Sequence, residues 1–466
     1  MLRPWKLDLK INEKFSHLPV YKQIAETIIE AIESGVLKTG DVLPGTRKLA
    51  SLFNVNRNTI IEAYSYLERE RWLISRQRAG TFVAGRLAKS EIEKYPVIHS
   101  NSETNKIIFD QGLPDSSHSP ILDIIREYRL IAKKIQKRKL HLDNDPMGYK
   151  KLRIILSQML NQERRMKVDE DNICITRGSQ IGIFLIAQCL LRDDDCIIVE
   201  HPGYRPAWDA FKYAEASVLL AEVDKDGVLI SDIKGYIDMG KKIKAVYISP
   251  NSQFPTTTIL SDSRRRELID LSNQHDFFVI EDDYCIDLNY SDKHLLPLCS
   301  ENNLRNYIYI GTFSRSISPL LKISYLVSNH DLVKKIVALR KIVDISGDSV
   351  MEIAFYHLIQ DGTFSRHIKK YAAFYKEKRD FVDTLLVKYF KDKIIYTKPE
   401  LGLGYWIIPQ KPIDNYDLFT KELDAKNIKI INFNYYKLEG PGFFLSFGSA
   451  TEKKLEQGIK ILADYL

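Results

Sequence analysis

From Ile107 onward the chain repeats one arrangement: a short β-branched run, a polar cluster, then a helical segment. The runs are NICIT, CIIVE, KAVYIS, FFVIE, YIYIG and ISYLV. Short strands alternating with helices predict an α/β fold, a mostly parallel sheet with helices on both faces. The polar clusters narrow the possibilities further. NICIT leads into RGSQ, CIIVE into HPGY, KAVYIS into PNSQFP, FFVIE into DDY and YIYIG into TFSR. Ligand crevices of open α/β sheets lie beyond the carboxyl ends of the strands. Any one cluster would pass for a turn; five in register predict a small-molecule site.

Each cluster brings its own chemistry. Gly178, Ser179 and Gln180 open a helix after a strand, where backbone N–H groups hold a phosphate. The Tyr204 ring suits a flat heteroaromatic ligand. Asp282, at a buried strand end, suits a protonated ring nitrogen. Tyr284, two residues on and directed to the same side, suits a ring hydroxyl.

The N-terminal stretch is patterned differently. Ile24, Ile28 and Ile32 recur at helical spacing, and Gly35 ends that helix. Thr46 is expected to cap a short second helix and Asn56 a third, carrying Ile60, Tyr64 and Leu67 inward. WLISRQRAGTFVAG then reads as a hairpin with a basic tip. Three helices and a basic hairpin predict a winged helix-turn-helix, whose third helix enters the major groove of double-stranded DNA. The candidate contacts are Thr46, Arg47, Asn56, Arg57, Asn58 and Thr59, with Arg76, Arg78 and Gly80 on the wing.

Charge agrees with that placement. The chain carries a net +7, and residues 1–86 hold 14 Lys/Arg against 9 Asp/Glu, so most of the excess sits at the basic end. A second basic run, Lys133, Lys134, Lys137, Arg138 and Lys139, reads better as a solvated helix face. The expected organisation is a DNA-binding domain over 1–84, a linker over 85–106 and a large domain over 107–466.

No run approaches the ~18 apolar residues that a membrane span requires, and MLRPWKLDLKINEK lacks the apolar core of a secretory signal. Five cysteines, odd in number and without a C-x-x-C pair, predict reduced thiols in a cytoplasmic protein rather than a zinc or disulfide framework.

Both halves resemble known proteins. SGVLKTGDVLPGTRKLA, VNRNTIIEAY and GTFV, in that order, resemble the GntR family of bacterial regulators. FDQGLPD, NDPMGYKKLR, ITRGSQ, EHPGY, SPNSQFP, EDDYCIDLNY, YIGTFSRSISPLLKISYLV and LSFGSA resemble the fold-type I domain of the MocR subfamily, which is aminotransferase-like and binds pyridoxal phosphate (PLP). The resemblance implies that Asp282 faces the pyridine nitrogen, that Tyr284 faces the ring hydroxyl and that Tyr204 stacks on the ring. Gly178, Ser179, Gln180, Ser314, Arg315 and Lys322 would complete the cofactor site. It also implies a homodimer, which suits two-fold operators.

The departures from that pattern bear on activity. Where the family has a lysine that joins PLP covalently, this chain has Arg315; where it has a phosphate-clamping arginine, this chain has Lys322. Guanidinium offers no nucleophile comparable to a lysine amine. Ser252 stands where the family often has His, Thr257 where it often has Gly, and Phe444 where working aminotransferases carry an arginine for the substrate carboxylate. Turnover is therefore not expected. Three pocket states stay open: PLP held without a covalent link, Lys322 reaching the aldehyde, or PLP abandoned for another effector or none. The expected function is a DNA-binding regulator that senses PLP or another small ligand. Its rivals are an aminotransferase with an accessory DNA-binding domain and a regulator with a ligand-blind large domain.

Overall fold

The structure, a computed structural model, describes residues 18–38, 40–69, 72–76, 80–83, 106–109, 112–137, 145–291, 294–301, 303–318, 321–413, 415–430 and 442–466. It divides into two compact units, Met1–Glu103 and Thr104–Leu466. Apart from Lys106, the stretch expected to be a linker lies outside the described residues.

In the first unit, α1 (Val20–Glu33), α2 (Thr46–Phe53) and α3 (Arg57–Arg69) enclose a small core. Ile24 and Ile28 of α1 and Ile60, Ala63 and Leu67 of α3 are fully buried, as the 3.6-residue period requires. Tyr64 is buried as well, and its hydroxyl donates to the Pro44 carbonyl at 2.7 Å. That bond carries the polar end of the ring, and burial raises the Tyr64 pKa above the ordinary phenol range. Asn56 caps α3 as expected, its Oδ1 accepting from the Asn58 N–H at 2.9 Å. Thr46 does not cap α2: Gly45 holds the cap position without a side-chain bond, and Thr46 is the first helical residue. Its hydroxyl instead accepts from Arg57 Nε at 3.3 Å, tying the starts of α2 and α3 together. The hairpin of β1 (Leu73–Arg76) and β2 (Gly80–Val83) comes next, with Arg76 opposite Gly80.

In the second unit, the six runs read from the sequence are all strands: β4 (Ile173–Thr176), β5 (Cys196–His201), β8 (Ile243–Ile248), β9 (Phe278–Asp283), β10 (Tyr307–Thr312) and β11 (Ser324–Val327). With β6 (Ser217–Asp224) and β7 (Gly227–Val228) they form one sheet in the order β4-β11-β10-β9-β8-β5-β6-β7. The pairs β10–β9, β9–β8, β8–β5 and β5–β6 are parallel, whereas β11 is antiparallel to both β10 and β4. The central strands are largely apolar because both faces are covered, whereas β6 near the sheet's edge is mostly exposed or half-buried. Ile197, Val199, Tyr247 and Ile280 pack into one core, and their sequence neighbours Ile198, Val246, Ile248 and Val279 pack into another.

Two smaller sheets were not anticipated. β12 (Ile394–Tyr396), β13 (Gly404–Pro409) and β15 (Phe443–Ser446) are antiparallel, while β14 (Ile428–Ile430) pairs in parallel with β3 (Ile107–Phe109). Of the second basic run, Lys133, Lys134 and Lys137 are exposed at the end of the helix Ile121–Gln136, and Arg138 and Lys139 lie outside the described residues.

Candidate functional site

The sheet order brings the carboxyl ends of β4, β5, β8, β9 and β10 to one edge. A cleft of about 470 Å³, counted to its open mouth, lies there. One residue or more from the end of each strand lines it: Ser179 after β4, Tyr204 after β5, Ser249 after β8, Asp282 and Tyr284 at β9, and Thr312, Ser314 and Arg315 at β10, with Phe254. Six of the nine residues expected at a cofactor site thus meet in one cleft. Gly178, Gln180 and Lys322 stand beside it.

Gly178 takes φ +89° at the cap of the helix Ser179–Leu190, a backbone that favours glycine. The Lys322 stem runs alongside, its Cδ 3.7 Å from where a Cβ on Gly178 would sit. Lys322 is exposed. Gln180 turns away, donating to the Pro206 carbonyl at 2.8 Å.

Asp282 is the acid among the described residues lining the cleft. It is 6% exposed, and Oδ2 accepts from the Tyr247 hydroxyl at 2.5 Å. Oδ1 is buried with no hydrogen-bond partner among the described residues. Burial raises its pKa to about 6, with the Asp283 charge adding to the rise and the Tyr247 bond and Arg315 opposing it. A buried carboxylate oxygen lacking a donor is costly, and a ligand bearing an N–H⁺ relieves that cost. Tyr284 is half-buried, its hydroxyl 3.5 Å from Ser252 Oγ, and desolvation holds its phenol well above the usual range. It is therefore a neutral hydroxyl that can donate or accept.

Arg315 is held from two sides. Nη1 donates to the Gly112 carbonyl, and the guanidinium carbon lies 5.4 Å from the centre of the Tyr284 ring. The loop that carries it is closed by Ser314 Oγ donating to the Leu321 carbonyl at 3.0 Å. Phe444 is 5% exposed on β15 opposite Trp406. Its ring lies flat against Gly404, where an added Cβ would come within 2.2 Å of Phe444 Cζ. An apolar ring fills that wall.

Four participants were not foreseen. Ser249, Phe254 and Thr312 line the cleft, and Tyr247 holds Asp282 from the next strand. Phe254 packs edge-on against Tyr204 and Tyr284, at 6.1 Å and 6.3 Å, and against Phe444 at 5.5 Å. The signal for Tyr247 was present: a phenol inside an apolar strand must find a buried partner.

On the first unit, Arg47, Asn56, Arg57, Asn58 and Gly80 are exposed and Thr46 and Thr59 partly so. These residues cluster at the starts of α2 and α3 and on β2, open to a polyanion. Arg76 ends β1, and Arg78 lies outside the described residues.

Comparison with known proteins agrees with both units. Residues 20–83 match the family described as "Bacterial regulatory proteins, gntR family". The chain is 26% identical over 444 residues to "HTH-type transcriptional regulator NorG" of Staphylococcus aureus, covering 91% of this chain and 99% of that protein. It is 28% identical over 331 residues to "Aromatic-amino-acid aminotransferase 1" of Thermococcus litoralis, covering 68% of this chain and 78% of that one. A solved kynurenine aminotransferase of Pyrococcus horikoshii, in complex with PMP, superposes with a TM-score of 0.73 at 25% identity, over 86% of this chain and 98% of that one. No helix among the described residues is long and apolar enough to cross a membrane.

Proposed function

We infer that this chain, a gntR-family regulatory head joined to an aminotransferase-like domain, is a transcription regulator whose large domain receives a small ligand without turning it over. The head binds double-stranded operator DNA through Arg47, Asn56, Arg57, Asn58 and Thr59, with Thr46 at the start of α2 and Arg76, Arg78 and Gly80 on the wing. The protein acts in the cytoplasm as a homodimer, so that two heads address a two-fold operator. Ligand occupancy of the large domain is coupled to the operator affinity of the heads.

The observation that carries this reading is an Asp282 Oδ1 without a partner among the described residues, beside a guanidinium at position 315. PLP fits the first half. Asp282 would hold the ring N–H⁺, Tyr284 would bond the ring hydroxyl, and Tyr204 would pack on the ring. Gly178, Ser179, Gln180, Ser314 and Lys322 would receive the phosphate. Bound there, PLP would offer an aldehyde to amines reaching the pocket. The second half removes the covalent link, because Arg315 offers no amine and its Nη1 is engaged by Gly112. Lys322 attracts phosphate as a point charge from its place beside Gly178.

The test is incubation with PLP, desalting, a visible spectrum, then borohydride reduction and peptide mass mapping. Retained PLP with no labelled peptide is expected. Label on Lys322 would refute the non-covalent reading, and steady turnover of an amino donor would favour the aminotransferase alternative.

A further inference from the structure

The first strand of the second unit, β3, leads into Gly112–His118, a stretch held on two sides. On one side it meets the cleft. Arg315 Nη1 donates to the Gly112 carbonyl. Gly112 has φ +75°, and a Cβ added there would lie 2.9 Å from that same nitrogen and 3.6 Å from Phe444 Cε1. Backbone and space both call for glycine. The narrow cavity between Gly112, Phe444, Leu401, Leu403 and Thr257 has room for about one water molecule. A ligand therefore reaches Arg315 from the open cleft, whose wall Arg315 also forms.

On the other side the long helix Thr363–Phe390 grips the stretch. The Asp115 N–H donates to the hydroxyl of the fully buried Tyr375 at 2.7 Å, and the His118 ring packs against Phe374 with centres 4.1 Å apart. Lys378, buried one turn further on, donates to the Gly448 carbonyl at 2.8 Å. Gly448 in turn receives the Leu113 carbonyl, which an added Cβ would approach within 2.1 Å. The same helix reaches the loop that carries Arg315, since His367 Nε2 lies 2.9 Å from the Ser316 carbonyl. Helix, stretch and loop form a closed ring of contacts, and the bond from Arg315 to Gly112 is the member that a ligand in the cleft can disturb.

We propose that Gly112–His118 relays the state of the cleft to the chain leading to the head, and that the Arg315–Gly112 bond is its latch. A ligand anion that draws the guanidinium into the cleft releases the stretch. The assignment rests on the reading of the large domain as a ligand-receiving unit, and it names how occupancy leaves the pocket. The Gly112 carbonyl holds the guanidinium through a dipole, whereas an anion holds it through a full charge and the planar fork. Asp282 already attracts the same guanidinium from the cleft side, and the phosphate of PLP adds about two negative charges there.

The experiment is hydrogen–deuterium exchange of the full chain with and without PLP, read on peptides covering Gly112–His118. Beside it, filter binding follows a duplex that the full chain selects from a random-sequence pool. PLP should speed exchange of the stretch about tenfold, as loss of a hydrogen bond to a charged group implies, and shift duplex affinity about fivefold or more. Arg315→Met removes the donor, so its stretch should exchange at the raised rate without PLP and no longer respond to it. Tyr375→Phe, on the helix side, should speed exchange yet keep the response to PLP. A folded Arg315→Met chain whose stretch exchanges as slowly as the unaltered one overturns the latch. PLP retained by the unaltered chain, with exchange and duplex affinity unchanged, overturns the relay and leaves the ligand-receiving reading standing; this arm does not depend on any variant folding. Faster exchange without a change in duplex affinity overturns the relay as well. No PLP retained overturns the ligand-receiving reading, and the latch is then decided by Arg315→Met alone.

Discussion

At position 315 the side chain has the reach of a lysine and the charge of a lysine but lacks an amine that can lose its proton. Its head is spread between the Gly112 carbonyl and the Tyr284 ring. Arg315→Lys should restore the missing chemistry: after incubation with PLP, borohydride should fix label on residue 315 of the variant and on no peptide of the unaltered protein. Label absent from the variant would mean that the cleft does not bring PLP near that position. A second residue is held against its own preference. Thr257 adopts φ +60°, a left-handed backbone that costs a β-branched residue about 1–2 kcal/mol. Thr257→Gly removes that strain but makes the unfolded chain freer by about 0.5–1 kcal/mol. The net expectation is a stabilisation of up to about 1 kcal/mol in denaturant unfolding. A clear loss of stability would show that the Thr257 side chain packs more tightly than its place on the cavity wall suggests.

At the scale of elements, the first unit works through two helix starts. Thr46 and Arg57 bond each other, so the exposed ends of α2 and α3 present one polar surface. Arg47→Ala and Arg57→Ala are each expected to weaken binding to a duplex from upstream of the protein's own gene. Each should also lower the slope of log affinity against log salt by about one. Filter binding across a salt series measures both. An unchanged slope in both variants would remove these residues from the DNA surface. In the second unit the decisive elements are the loops after the parallel strands. One closed loop carries Ser314 and Arg315 out of β10 and returns to Lys322, so exchanging the two basic residues changes what both ends of that loop can do.

At the scale of the molecule, the second unit buries several acids that resist ionisation. Burial is the main cause for each: Asp282 rises to about 6, Glu352 to about 7, and Glu200 and Glu281 to about 8. An acid harder to ionise folded than unfolded contributes stability at low pH and loses it as pH climbs through its folded value. The large unit should therefore melt at progressively lower temperature from about pH 5 to about pH 8.5. Glu200→Gln, which keeps an acceptor for the Ser249 N–H, should flatten that slope. Scanning calorimetry of the full chain reads both; a melting temperature that rises across the window would contradict the assignment. Exposed acids with lowered values act elsewhere. Asp224, bonded by Arg264, loses its contribution only as pH falls through the acid range.

The alternation of runs and polar clusters was enough to predict a mostly parallel sheet and the edge where the cleft lies, because period and handed connection leave few other ways to bury such strands. The spacing of Ile24 and Ile28, Asn56 and the basic hairpin likewise carried the three helices and wing, since those signals are local. Folding supplied what depends on neighbours distant in the chain. Thr46 bonds Arg57 rather than its own helix, and Tyr247 meets Asp282 across a register that no local pattern encodes. Strands β3, β12 and β14 hold only three residues each, too few for periodicity to show. The guanidinium at position 315 was legible in the sequence. Its arrival beside Gly112 and Phe444 needed the loop after β10 and the strand β15, more than a hundred residues apart, to be folded onto one cavity.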